Sequence, residues 1–167
     1  QQKHVGLTLL LLALSTLPTS IMSDENSAFS IASHLSEEQR EKFVKRLSRY
    51  YPLSEEMIDQ VPLLWDWQAL SKNKSLEWSI GLIEGHEDRW DWEKLSERED
   101  LPWSKELIAR FEDRWVWEGH GSLSDNSGLP WSEELVEQFE DRWEWGRLSE
   151  REDLPWSENL IGQFEDQ

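Results

Sequence analysis

The sequence contains no cysteine, so it has no disulfide framework, no thiolate zinc site and no cysteine nucleophile. This absence does not indicate the compartment, because many exported proteins also lack disulfides. Basic residues are scarce as well, with 17 Lys and Arg against 35 Asp and Glu and a formal net charge of −18. Nucleic acid and anionic lipid would repel so acidic a chain, and we expect neither as a partner.

Long apolar runs are nearly absent too. The longest, Val5 to Leu14, falls short of the roughly 20 residues that a membrane-spanning helix needs, so we predict no stable membrane span. Residues 1–21 contain no Asp or Glu and combine a basic start, an apolar core and small residues near Ala13, as secretory signal peptides do. The abrupt change in composition after Met22 supports a rival interpretation, in which residues 1–21 are translated upstream sequence. Export follows from the first interpretation and a cytoplasmic location from the second.

Groupings of residues that support catalysis are also missing. The histidines lie far apart at His4, His34, His86 and His120, and no two have metal-ligand spacing on one element. The sequence has no glycine-rich phosphate loop and no G-x-S-x-G nucleophile elbow. We therefore predict that the protein is not an enzyme and uses no cofactor or metal.

Tryptophan, by contrast, is abundant and confined to one region. All 12 tryptophans lie between Trp65 and Trp156. Pairs of the form Trp-x-Trp begin at residues 65, 90, 115 and 143, so successive pairs are 25, 25 and 28 residues apart. Segments 90–114 and 143–167 are identical at 17 of 25 positions. This spacing indicates tandem copies of one unit over residues 52–167.

Each copy repeats the same apolar positions. They are the two tryptophans of the pair, the leucine of a Leu-Ser, a third tryptophan before a serine, an aliphatic pair and a closing aromatic, replaced once by His86. One short copy cannot bury so many large side chains alone, so we predict a core shared between stacked neighbours. The residues predicted for this core are Trp65, Trp67, Leu70, Trp78, Ile83, Trp90, Trp92, Leu95, Trp103, Leu107, Ile108, Phe111, Trp115, Trp117, Trp131, Leu135, Val136, Phe139, Trp143, Trp145, Leu148, Trp156, Leu160, Ile161 and Phe164.

The serine after the third tryptophan predicts the start of a helix in each copy. Ser104 is a favourable N-cap, and Trp103 and Ile108 then occupy the two positions of a hydrophobic staple. Leu107, Ile108 and Phe111 form one apolar stripe at helical spacing. The equivalent caps are Ser54, Ser79, Ser132 and Ser157.

The tryptophans differ in how firmly their environment can be predicted. The staple predicts that the third tryptophans Trp103, Trp131 and Trp156 pack inside. The Trp-x-Trp element has two interpretations, a short helix capped by residues such as Asp91 or a short strand. We favour the helix, because three alternating residues are too few to establish a sheet, although Val116 in the third copy is a poor cap.

These elements predict an all-α fold, a short-helix tandem-repeat array resembling an α-solenoid. Residues 36–51 form an amphipathic helix with a capping box at Ser36 and Gln39. We expect this helix to cap the N-terminal end of the array after a flexible acidic linker at residues 22–35, although its basic cluster leaves open a separate binding role. Residues 164–167 stop where earlier copies continue into a new pair, which predicts an array cut at its C-terminal end.

The pattern Trp-Asp-Trp-x-x-Leu-Ser, followed by Leu-Pro-Trp-Ser-x-x-Leu-Ile-x-x-Phe-Glu-Asp-Arg, resembles tryptophan-rich tandem repeats of uncharacterised bacterial and giant-virus proteins. The resemblance covers residues 52–167. It implies a repeat architecture and no particular activity, because no catalytic or binding residues are established for such repeats.

The leading functional hypothesis is a non-catalytic scaffold that binds a protein partner, in particular a basic one, through its acidic surface. One alternative is an exported carbohydrate-binding protein that uses exposed tryptophans, and another is an acidic decoy of a basic partner surface. The insertion in the third copy contains Gly119, His120 and Gly121, a candidate binding loop. The segment Ser96–Asp100 recurs unchanged at Ser149–Asp153, and we interpret it as exposed surface.

Overall fold

The computed structural model describes residues 35–163. The chain divides into two compact units, residues 1–77 and 78–167. All regular elements of the described range are helical and none is a strand, which confirms the all-α prediction. Within the same range no helix is long and apolar enough to cross a membrane. Three predictions fall outside it: the leader at residues 1–21, nearly all of the linker at residues 22–35, and the cut C-terminal end with Phe164.

The first unit contains α1 at Glu37–Tyr50, α2 at Glu55–Gln60 and α3 at Trp67–Leu70. Helix α1 begins with the predicted capping box, in which the Ser36 hydroxyl accepts the N–H of Gln39 and the Gln39 side chain accepts the N–H of Ser36. Helix α1 packs against α3.

The second unit consists of very short helices. None exceeds six residues within residues 78–163, so each copy contributes little helix of its own. The elements are α4 at Ile80–Gly85, α5 at Trp92–Ser96, α6 at Lys105–Arg110, a 3-10 turn at Leu123–Asp125, α7 at Glu133–Gln138, α8 at Trp145–Ser149 and α9 at Glu158–Gln163.

Side-chain oxygens cap most of these helices as the sequence predicts, but α8, which follows Glu144, has no side-chain cap hydrogen bond. In α2, α4, α6 and α7 the predicted serine accepts the N–H of the third residue after it, and Ser157 accepts the N–H of Leu160 at 3.1 Å. Asp66 and Asp91 cap α3 and α5 in the same way. The first N–H groups of a helix have no intrahelical partner, so each cap satisfies a donor that would otherwise have none.

The Trp-x-Trp element starts a helix in three copies but not in the third. Its second tryptophan is the first residue of α3, α5 and α8. No helix begins at Trp117, and a 3-10 turn follows later, at Leu123–Asp125. The insertion before Leu123 displaces the turn in this copy. The lack of a capping oxygen at Val116 does not by itself explain the difference, because α8 begins after Glu144 without a side-chain cap hydrogen bond.

Aromatic rings of successive copies pack together in the second unit. The ring centroid of Trp115 lies 4.7 Å from Trp92, 4.8 Å from Trp103 and 6.4 Å from Phe111. The next copy repeats these distances at 4.8, 5.0 and 6.3 Å. The ring centroid of His86, which replaces the phenylalanine, lies 6.4 Å from that of Trp90 in a similar edge-on geometry. This position therefore takes an aromatic ring in each copy.

The three tryptophans of a copy are buried to different extents. The first is buried in all four copies, whereas the second is half-buried except for the buried Trp117. The third is half-buried in three copies. The prediction that Trp156 and Ile161 lie in the core is wrong, since they are 36% and 53% exposed. Trp143 and Arg151 of the following copy cover Trp131. Within residues 35–163 no following copy supplies equivalent side chains to cover Trp156.

Apart from the tryptophans and Ile161, the predicted core positions of the described range are buried. They include the predicted aliphatic residues of α4, α6 and α7 and Leu160 of α9, which pack with almost no exposed surface. This agrees with the apolar stripe expected for these helices. The buried members are Leu70, Ile83, Leu95, Leu107, Ile108, Phe111, Leu135, Val136, Phe139, Leu148 and Leu160.

The indole N–H groups satisfy backbone carbonyls. Those of the first tryptophans Trp90, Trp115 and Trp143 donate to the carbonyl seven residues earlier at 3.1–3.2 Å. Those of the second tryptophans, and of three third tryptophans, donate to the carbonyl five residues earlier at 2.8–3.0 Å. Among the described residues, the indole N–H groups of Trp65 and Trp78 are buried without a partner. Most of the indole groups therefore have two roles: the ring packs against other side chains, and the N–H satisfies a backbone carbonyl five or seven residues earlier in the chain.

A buried serine joins neighbouring copies. Ser48, Ser96 and Ser124 are fully buried, and each hydroxyl accepts the N–H of the middle residue of the next Trp-x-Trp at 3.0–3.1 Å. Ser149 holds the same sequence position but is exposed, and its hydroxyl donates to the carbonyl of Gly146. In the first unit, Ser48 lies near the end of α1. This helix therefore supplies the hydroxyl acceptor that a Leu-Ser segment supplies in the later copies.

The serine joint can be tested with one matched pair of substitutions. Ser96→Ala should lower the free energy of unfolding by about 1–3 kcal/mol, because the N–H of Val116 loses its acceptor. Ser149→Ala should change it by less than about 0.5 kcal/mol, because Ser149 is exposed. Urea unfolding followed by tryptophan fluorescence measures both values. Equal losses in the two variants would contradict a role for the buried serine in joining copies.

Candidate functional site

Two arginines of the segment interpreted as exposed surface have side chains that are largely covered. The side chains of Arg98 and Arg151 are 9% and 12% exposed. Their guanidinium carbons lie 4.9 and 4.8 Å from the ring centroids of Trp78 and Trp131, which is cation–π geometry. A guanidinium is planar and weakly hydrated, so it can stack on the indole of the preceding copy. The interpretation of Ser96–Asp100 as wholly exposed is therefore wrong.

Burial of these arginines leaves carboxylates on the outside. Arg98 binds Asp100 through two nitrogens, and Arg151 binds Asp153 in the same way. Exposed glutamates flank each pair, so the charged groups that solvent reaches here are mainly carboxylates. We call these two clusters the acidic pads, the first formed by Glu97, Glu99 and Asp100 and the second by Glu150, Glu152 and Asp153.

Asparagine takes the arginine position in alternate copies. Asn126 is buried and donates to the carbonyls of Ser96 and Arg98 of the preceding copy at 2.8 Å each. Asn73 is also buried and donates to two carbonyls within the first unit. Because Arg and Asn alternate, the acidic pads recur every second copy. In the sequence, Arg98 and Arg151 are 53 residues apart, and so are Asn73 and Asn126. This double-length period is not evident when successive copies are compared at a spacing of about 25 residues.

Negative charge is concentrated in the second unit. Residues 78–167 contain 25 Asp and Glu against nine Lys and Arg, a net charge of −16. Most of the basic side chains are already engaged, so an external cation would meet mainly carboxylates. Seven of the nine form ion pairs within residues 78–163: Lys94, Arg98, Arg110, Arg114, Arg142, Arg147 and Arg151.

The candidate binding loop is anchored at its base and open at its tip. Gly119 and Gly121 have φ angles of 87° and 76°, a left-handed conformation that favours glycine. The N–H of Gly119 donates to the Glu144 carboxylate of the next copy at 2.7 Å. The His120 side chain is 98% exposed, and its Nδ1 lies 3.7 Å from an oxygen of Asp125. The loop thus presents one accessible imidazole on a constrained backbone.

An ion pair at the base of the loop ties it to the following copy. One nitrogen of Arg147 donates to both oxygens of Asp125 at 2.8 and 2.7 Å. Burial by itself would raise the pKa of Asp125, but the hydrogen bonds from Arg147 and from the N–H of Gly121 hold that pKa below its usual range. The hydrogen bond to Asp125 raises the pKa of Arg147 above its usual value.

The described residues contain no group of three or more side chains that could hold a metal ion. A scan against protein-family models finds no match for the chain, and searches of curated proteins and of solved structures find none either.

The pKa of Asp125 predicts a pH-dependent loop anchor. A carboxyl group whose pKa is lowered by folding stabilises the fold above its ordinary pKa, and this contribution is lost as pH falls through the lowered value. Asp125→Asn should therefore destabilise the protein near neutral pH, and its difference from wild type should shrink below about pH 4. Urea unfolding of both proteins at several pH values measures the difference. A difference that is independent of pH would contradict this assignment.

Proposed function

We propose that the chain is a non-catalytic repeat scaffold that binds a basic protein partner through the acidic pads of its second unit. In this proposal the copies of residues 52–167 stack as an α-solenoid-like array, and α1 covers its N-terminal end. The observation that carries the proposal is that contacts between copies engage the rings and the arginines, while carboxylates are left facing outward.

The contacts between copies support a stacked arrangement. Trp92 packs on Trp115 of the next copy, and the Ser96 hydroxyl accepts the backbone N–H of Val116 in that copy. Asn126 of the same copy donates to the backbone carbonyls of Ser96 and Arg98. Polar and apolar contacts thus cross the same boundary between copies. Repeats of this kind are stable only through their neighbours, and they present an extended surface on which side chains recur at fixed intervals.

The acidic pads are the part of that surface most suited to a partner. The two pads occupy equivalent segments, directly after α5 and after α8, and are two copies apart. The arginine of each pad stacks on an indole ring. A partner with basic groups at a matching interval could engage both pads at once, which raises avidity without any new type of contact. The acidic decoy remains an alternative, because it uses the same carboxylates and differs only in the consequence of binding.

The environment of the tryptophans gives little support to the carbohydrate-binding alternative. A sugar platform needs one open indole face in each copy. Of the 12 tryptophans, Trp156 is the most exposed, at 36%. Ten indole N–H groups donate to backbone carbonyls. The rings are therefore engaged in the core rather than presented to a glycan.

The proposed function can be tested with an oligolysine peptide as a basic probe. The full chain should bind it with an affinity that falls steeply between about 50 and 300 mM salt, because screening weakens contacts between exposed charges. Glu150→Gln combined with Glu152→Gln should weaken binding several-fold, since it removes two charges from one acidic pad. Isothermal titration calorimetry measures both effects.

The matched control is Glu41→Gln combined with Glu56→Gln, which removes two exposed carboxylates from the first unit. This variant should bind oligolysine nearly as well as wild type. Salt-independent binding, or an equal loss in both double variants, would count against the acidic pads as the binding surface.

A further inference from the structure

A groove in the first unit concentrates positive charge. It is lined by Lys42, Lys45, Arg46 and Arg49 of α1 and by Lys72, which follows α3, and its volume is about 710 Å³. The four α1 positions follow helical spacing, so they share one side of the helix along roughly 10 Å of its axis. Binding sites for small ligands have volumes of about 300–1,000 Å³. We call this feature the basic groove.

Within the described part of the chain, one of the five cations of the basic groove is paired with a carboxylate and four are not. Lys42 pairs with Glu38 at 2.6 Å, but among the described residues Lys45, Arg46, Arg49 and Lys72 form no ion pair with a carboxylate. This contrasts with the second unit, where most basic side chains are paired. Like charges that face one groove repel each other, and an anion entering the groove would relieve that repulsion.

We propose that the basic groove binds a compact polyphosphorylated ligand. Arg46 and Arg49 offer planar guanidinium groups, which match phosphate oxygens two at a time, and the lysines add point charges around them. The exposed ring of Tyr50 lies against the Arg49 guanidinium at 5.7 Å and can cover an organic moiety attached to the phosphates. Gln68 adds a neutral hydrogen-bonding group to the wall.

The charge of the whole chain favours a compact ligand over an extended polyanion. At a net charge of −18, the protein repels a long polyanion wherever that polyanion leaves the groove. A compact ligand keeps its charge beside the groove, and salt screens more distant carboxylates beyond roughly 8 Å. Several phosphates on one small molecule also match four clustered cations better than a single carboxylate does.

The experiment titrates sodium tripolyphosphate into the full chain by isothermal titration calorimetry. Saturable one-to-one binding is expected. Lys45→Gln combined with Arg46→Gln should weaken it at least about tenfold. Both residues are exposed on α1, so the fold should tolerate their loss, and circular dichroism checks that it does. Lys74→Gln combined with Lys105→Gln is the matched control, because it also removes two exposed cations, neither of which lines the groove, and its binding should be nearly unchanged.

Three results would overturn the proposal. The first is no binding of tripolyphosphate by the full chain. The second is an equal loss of binding in the control variant that combines Lys74→Gln with Lys105→Gln, which would mean that only general charge attraction operates. The third is tighter binding of a short oligoglutamate peptide or a single-stranded oligonucleotide than of tripolyphosphate at the same salt, which would replace the ligand class.

Discussion

The brevity of the helices governs this structure. A helix of four to six residues leaves nearly all of its backbone N–H and C=O groups without intrahelical partners. Serine and aspartate oxygens accept the free N–H groups, and indole N–H groups donate to the free carbonyls. Tryptophan suits this role because it combines a large apolar ring with one donor. Loss of one indole ring would therefore have two effects at the same position: it would open a cavity and leave a backbone carbonyl without its hydrogen-bond donor.

The same constraint explains the polar contacts between successive copies. The hydroxyl of Ser96 completes the backbone of the next copy, and Asn126 of that copy completes two carbonyls in return. Within the first unit, Ser48 at the end of α1 and Asn73 make the corresponding bonds. Helix α1 thus provides, from a longer element, the polar groups that a Leu-Ser segment provides elsewhere.

Packing also determines which charges reach the surface. Arg98 and Arg151 stack on indole rings and leave the surrounding carboxylates outside, so the second unit presents its acidic groups while its cations are engaged. In the first unit, residues 1–77 contain ten acidic and eight basic residues, and the basic groove collects five of those cations on one side. The two units therefore differ in the charge of their accessible side chains, and this difference underlies the two proposed ligand classes.

The sequence by itself determined the features that depend on local chemistry. The all-α fold, the serine and aspartate caps and the capping box at Ser36 follow from residues within one turn of each other. Only the tertiary structure decided the burial of Arg98, the exposure of Trp156, the joining role of Ser96 and the grouping of Lys72 with α1. Each of these depends on which residues of another element lie opposite, and a repeat period does not specify how neighbouring elements face one another.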